Sequence, residues 1–246
     1  MSTTTARILS RWTLWTGAAL ALAACADKPP TPDWKVNAHG SVQRASDAYL
    51  SGKSRVADQE WRTARSEVSR TGSVEQLALV ELNRCAAQVA SAQLQECSAF
   101  ESLRADASVA EQAYADYLAG RPLAAAQIAL LPEAQRKAAS DVGAIKAIAD
   151  PLSQLVAAGA ALKAGRATPE TLVTATETAS AQGWSHALLG WLSLRAERAR
   201  ALGDVDLATA LQRRMALIES QGQPAAASAN GARADEKSEK ASVRRP

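Results

Sequence analysis

Apolar residues recur along this chain at intervals of three and four. Ala78, Leu82, Cys85 and Val89 step by four, three and four, which places them on one face of a helix. Leu207, Leu211, Met215 and Ile218 repeat the pattern near the other end. No run alternates apolar and polar residues as a half-buried strand does. The spacing predicts successive helices from Asn37 to about Ser220.

Punctuation divides this stretch. Asp150-Pro151 and Thr168-Pro169 each set a capping residue before a proline at the first helical position. Ser73-Val74-Glu75-Gln76 has the spacing of a capping box. Gly72, Gly183 and Gly203 stand where helices should stop. About ten or eleven helices with short connections result, a normal density for a helical array. Pro132 to Ala149 reads as one extra helix.

Composition agrees. Alanine dominates the apolar residues and aromatics make up only 4%, and alanine is the best helix former and a poor strand residue. The expected fold class is all-α.

The N-terminal stretch follows a different rule. Arg7 and Arg11 precede a segment without charge from Trp12 to Ala24. At about 13 residues it is too short for the ~20-residue span of a bilayer, and it suits a secretory signal. It ends in Leu22-Ala23-Ala24-Cys25, which looks like the lipobox of bacterial lipoproteins. That resemblance implies cleavage before Cys25 and a diacylglyceryl group on its thiol. Membrane lipid then becomes a covalent partner, because two acyl chains exceed the threshold for stable anchoring. Ala26 rather than aspartate follows the modified cysteine; by the same resemblance this implies an outer-membrane protein facing the periplasm. Residues 1–24 are thus expected to be the signal, and 25–36, with Pro29, Pro30 and Pro32, a semi-rigid tether. A helical domain is expected over 37–221, followed by a disordered tail over 222–246 whose only large apolar residue is Val243.

With Cys25 set aside, Cys85 and Cys97 form an even pair in an oxidising compartment. They lie 12 positions apart, roughly 18 Å on one helix, whereas a bridge needs Cα atoms within about 7 Å. A disulfide therefore requires a break near Ala92 to Glu96. Two buried free thiols or a metal site are the rival readings, although His39 and His186 stand at no ligand spacing.

Ala45, Ala48, Tyr49, Gly52, Ala57, Trp61 and Ala64 are similar to a tetratricopeptide repeat. Small residues let two helices approach, glycine turns the chain, and an aromatic fills the wedge. The glycine-x4-alanine element recurs at Gly120 with Ala125 and Ala129, and at Gly203 with Ala208. Gly165 departs from it, with Glu170 where alanine should be. The resemblance covers about half the chain and implies an irregular array of antiparallel hairpins, a tetratricopeptide-like solenoid that binds proteins. A plain helical bundle is the alternative.

Catalytic signatures are missing: there is no Cys-x-x-Cys-His, no phosphate-cradling glycine loop, no His-Glu-x-x-His and no Gly-x-Ser-x-Gly. No catalytic residue, metal site or cofactor is expected. The net charge of +3 comes without a uniformly basic helix face, so nothing points to nucleic acid. Trp184, Leu188 and Trp191 form the strongest aromatic cluster. They read either as anchors in a partner-binding groove or as packing between hairpins, the commoner use of such spacing. The function expected is a non-catalytic adaptor for envelope proteins. The alternatives are a structural lipoprotein that touches peptidoglycan or lipid through its basic tail, and an unrecognised helical hydrolase.

Overall fold

The structure is a computed structural model that describes residues 31–220. The signal segment, residues 25–30 with Cys25, and the tail lie outside the described residues. Among the described residues there are eleven α-helices and no strand. They are α1 (Asp33–Leu50), α2 (Ser54–Ser69), α3 (Val74–Ala90), α4 (Ser98–Glu101), α5 (Val109–Leu118), α6 (Ala125–Leu130), α7 (Glu133–Ser140), α8 (Pro151–Lys163), α9 (Pro169–Ala181), α10 (Ser185–Ala201) and α11 (Val205–Glu219).

The predicted ends fall where the punctuation stands. Asp150 accepts from the Ser153 N–H at 2.7 Å and Thr168 from the Thr171 N–H at 3.2 Å, each with proline next in the helix. Ser73 accepts from the Gln76 N–H at 3.2 Å. Three differences follow from tertiary structure. First, α1 begins at Asp33 rather than Asn37, so Trp34 belongs to the helical domain and not to the tether. Second, Pro132 to Ala149 is not one helix. It breaks at Asp141, whose carboxylate accepts from the Gly143 N–H and starts a 3-10 turn over Val142–Ala147. Third, the alanines of the repeat element at Gly120 are not packed: α6 has only six residues, and Ala125 and Ala129 are exposed.

Helices α1 and α2 form an antiparallel hairpin. Ala45, Ala48, Ala57, Trp61 and Ala64 are all buried between α1 and α2, and Val80 and Ala87 of α3 close that cluster. A larger core joins the other helices. Ala78, Leu82, Cys85 and Val89 are buried in it along one face of α3. Helix α3 packs on α1 and α2 on one side and on α5 and α8 on the other. Helix α8, whose run from Gln154 to Ala161 is buried throughout, also touches α7 and α9. From α9 the chain continues into the α10–α11 hairpin, and α10 returns to touch α1.

Two buried glutamines hold the irregular middle of the chain. Gln135 on α7 accepts from the Tyr117 hydroxyl at 3.0 Å and donates to the Ser153 carbonyl at 2.9 Å. Gln154 on α8 donates to the Ile145 carbonyl at 3.1 Å and accepts from the Thr178 hydroxyl. Buried amides satisfied on both sides fix one arrangement of the short elements around them. No helix among the described residues is long and apolar enough to cross a membrane.

Candidate functional site

A cleft of about 520 Å³ opens between α1, α3, the start of α8 and the α9–α10 turn. Helix α1 lines it from Trp34 to Asp47, which at 1.5 Å per residue is a length of roughly 20 Å. Ala38, Val42, Val80 and Leu152 supply apolar lining, with Trp34 at the α1 start and Trp184 on the opposite wall. Leu79 also lines it and is 40% exposed. Gln43, Gln76, Asn83 and Gln182 bring side-chain amides to the walls. An amide both donates and accepts, so it matches a peptide backbone in either orientation. Lys35 and His39 lie toward the α1 start, and Asp47 lies toward its end. Asp150, at the start of α8, also lines the cleft.

Residues singled out in the sequence fall in different places. Trp191 is fully enclosed and donates its indole N–H to the Ala90 carbonyl at 2.9 Å. It holds the core and cannot anchor a partner. Trp184 is largely buried but presents an edge to the cleft, while Leu188 packs in the main core. Cys85 and Cys97 meet as a disulfide with Cα atoms 5.5 Å apart. The break that allows this lies where it must: α3 ends at Ala90, and Ala92 takes a left-handed φ of 59°. Cys25 lies outside the described residues.

Spacing did not single out most of the cleft, because its walls come from five separate segments, Val68 of α2 among them. His186 also escaped assignment. It is half-buried against the Tyr49 ring, with centroids 5.0 Å apart and planes at 74°. Burial lowers its pKa. Gly159 and Gly190, inside helical patterns, stand where the backbone of the α3 end comes close.

A cavity of about 280 Å³ beside Tyr117 contains Arg121 and Arg166, but Arg121 is paired with Asp116 at 2.7 Å. Burial pushes the Tyr117 phenol well above its ordinary range, and its hydroxyl is spent on Gln135. Among the described residues, no group of three or more His, Cys, Asp or Glu side chains could hold a metal ion.

No protein-family model, no curated protein and no solved structure matches this chain.

Proposed function

We propose that this chain is a lipid-anchored adaptor of a bacterial envelope, and that the α1–α3–α8 cleft receives an extended segment of a partner protein. The cleft carries the reading. Its apolar lining and amide walls suit a peptide whose side chains are buried while its backbone is hydrogen-bonded. Its length of roughly 20 Å spans about six extended residues. Lys35, Asp47 and Asp150 on its walls favour a segment whose apolar residues are flanked by charged ones. The tetratricopeptide-like features of the first hairpin support the same class of function.

Location rests on Leu22-Ala23-Ala24-Cys25. Acylation of Cys25 would hold the domain at the outer membrane, facing the periplasm. Asp33, the start of α1, lies only eight positions after Cys25. Even fully extended that stretch reaches about 25–30 Å, so the Lys35 end of the cleft would stay near the lipid surface.

In-cell photocrosslinking tests the reading. A photoreactive residue at Leu79, in the cleft, should trap one or a few envelope proteins. The same residue at Leu217, exposed on α11, should not trap them. Equal adducts from both positions, or recovery of glycan alone, would overturn it. Cys25→Ser should leave unprocessed precursor, and a product still cleaved and seated in the membrane would remove the anchor from the proposal.

A further inference from the structure

The first hairpin is closed against α10 by a narrow seam. Ser185 donates its hydroxyl to the Ser51 carbonyl at 2.9 Å. Gly52 passes beside the same residues, where a Cβ would lie 3.5 Å from Ser185 Oγ and 3.8 Å from His186 Cβ. The third contact is the edge-on packing of His186 against Tyr49. This imidazole is peculiar in one respect: its Nε2 is buried and has no hydrogen-bond partner. Buried polar atoms are normally paired, and this one sits where two parts of the fold meet.

We propose that the His186–Tyr49 contact is an acid-sensitive joint, in which proton uptake on the imidazole opens the seam between the first hairpin and α10. The neutral ring is tolerated there as a largely apolar edge. A proton on the second ring nitrogen turns it into a charged donor with no acceptor within reach, and only water can then satisfy it. Admitting water separates Tyr49 from His186. Tyr49 is the titratable group facing the ring from α1, and the Arg84 guanidinium of α3 acts electrostatically on that phenol. No side-chain or backbone acceptor pairs with the imidazole Nε2, and burial disfavours the charged ring. Asp47 and Trp184, a few residues from the joint on its two sides, both line the cleft, so opening the seam widens that end. The joint adds regulation to the binding reading but stands without any occupant of the cleft.

The test uses the full-length chain in detergent. Only two histidines occur, so carbon-13 labelling of histidine gives two assignable signals, and a titration from neutral to acid pH should show His186 protonating below the ordinary imidazole value of about 6.5. Hydrogen exchange, corrected for its intrinsic pH dependence, should show Tyr49–Lys53 and Trp184–Ala187 losing protection several-fold as the ring is protonated, while α8 keeps its protection. His186→Gln should remove that acid response while leaving protection elsewhere unchanged. A His186 pKa at or above the ordinary value, as a favourable cation–π hold on Tyr49 would produce, would overturn the proposal. So would an acid response that persists in His186→Gln. Should that variant fail to fold, the titration and exchange of the unaltered chain decide the matter.

Discussion

The indole N–H of Trp191 reaches the carbonyl of Ala90, the last residue of α3, across 101 positions of sequence. The last four carbonyls of a helix have no partner within it, and here one of them is satisfied by a different helix inside the core. Two glycines make the approach feasible. Gly190, the neighbour of Trp191, lies against the Ser91 carbonyl, and Gly159 of α8 lies against the Val89 carbonyl. The C-terminal end of α3 is therefore gripped by α8 and α10 at once.

Glycine-to-alanine substitutions should consequently have opposite signs at different sites. A Cβ at Gly159 or Gly190 would collide with backbone, which cannot rotate away as a side chain can. Each substitution should destabilise by about 1–3 kcal/mol. Gly40, inside α1, meets only the flexible Arg44 side chain at 3.1 Å. Gly40→Ala should stabilise by about 0.5–1 kcal/mol, the ordinary helical gain. Urea unfolding of the three variants separates these outcomes, and a loss at Gly40 matching that at Gly159 would contradict the close-approach account.

Trp191→Phe should keep most of the packing but strand the buried Ala90 carbonyl, at a cost of about 1–3 kcal/mol. Trp184→Phe gives up no comparable bond and should cost less. Equal losses in a denaturant series would show that the Trp191 hydrogen bond contributes little.

Helix ends and the first hairpin were legible because their determinants are local. A capping oxygen lies three positions from the N–H it satisfies, as at Asp150 and Thr168. The twelve-residue separation of Cys85 and Cys97 likewise required a break, and Ala92 provides it. The middle of the chain was not legible, because Gln135 and Gln154 organise it through bonds to carbonyls 18 and 9 positions away. The tryptophan spacing was ambiguous for the same reason. Which of Trp184 and Trp191 reaches the cleft depends on where α3 passes, and no local pattern carries that. A site walled by five segments leaves only scattered residues in the sequence.

Acid should weaken the fold in two separate steps. The His186 pKa is lowered by burial, so between its folded and unfolded values the unfolded chain binds more protons. Stability from this group is complete above the ordinary imidazole range and declines as pH falls through about 6.5. The second step lies lower. The Arg44 and Arg104 guanidiniums hold the Glu60 and Glu101 carboxyls below their usual range. Their contribution is present above the unfolded carboxylate pKa and is lost as pH falls through the depressed folded values. Both pairs are partly solvated, so this step should be shallow. Melting temperatures from neutral pH to pH 3 should show both steps in the unaltered chain and only the lower one in His186→Gln.

The Cys85–Cys97 bridge should matter most to the segment that follows it. Cross-linking lowers the entropy of the unfolded chain, and for a closed loop this short the gain is about 3 kcal/mol. The bridge also fixes where the chain turns back. Phe100 on α4 is fully buried immediately beyond Cys97, and α4 reaches the body of the protein chiefly through α3. Replacing both cysteines with serine should lower unfolding free energy by roughly that amount and expose Gln93 to Leu103 to exchange sooner than α8 or α10. Reduction of the unaltered chain should reproduce the loss. Non-reducing mass mapping supplies the direct check: peptides containing Cys85 and Cys97 should be recovered joined, whereas a pair freely alkylated in the native protein would show that packing alone holds this corner.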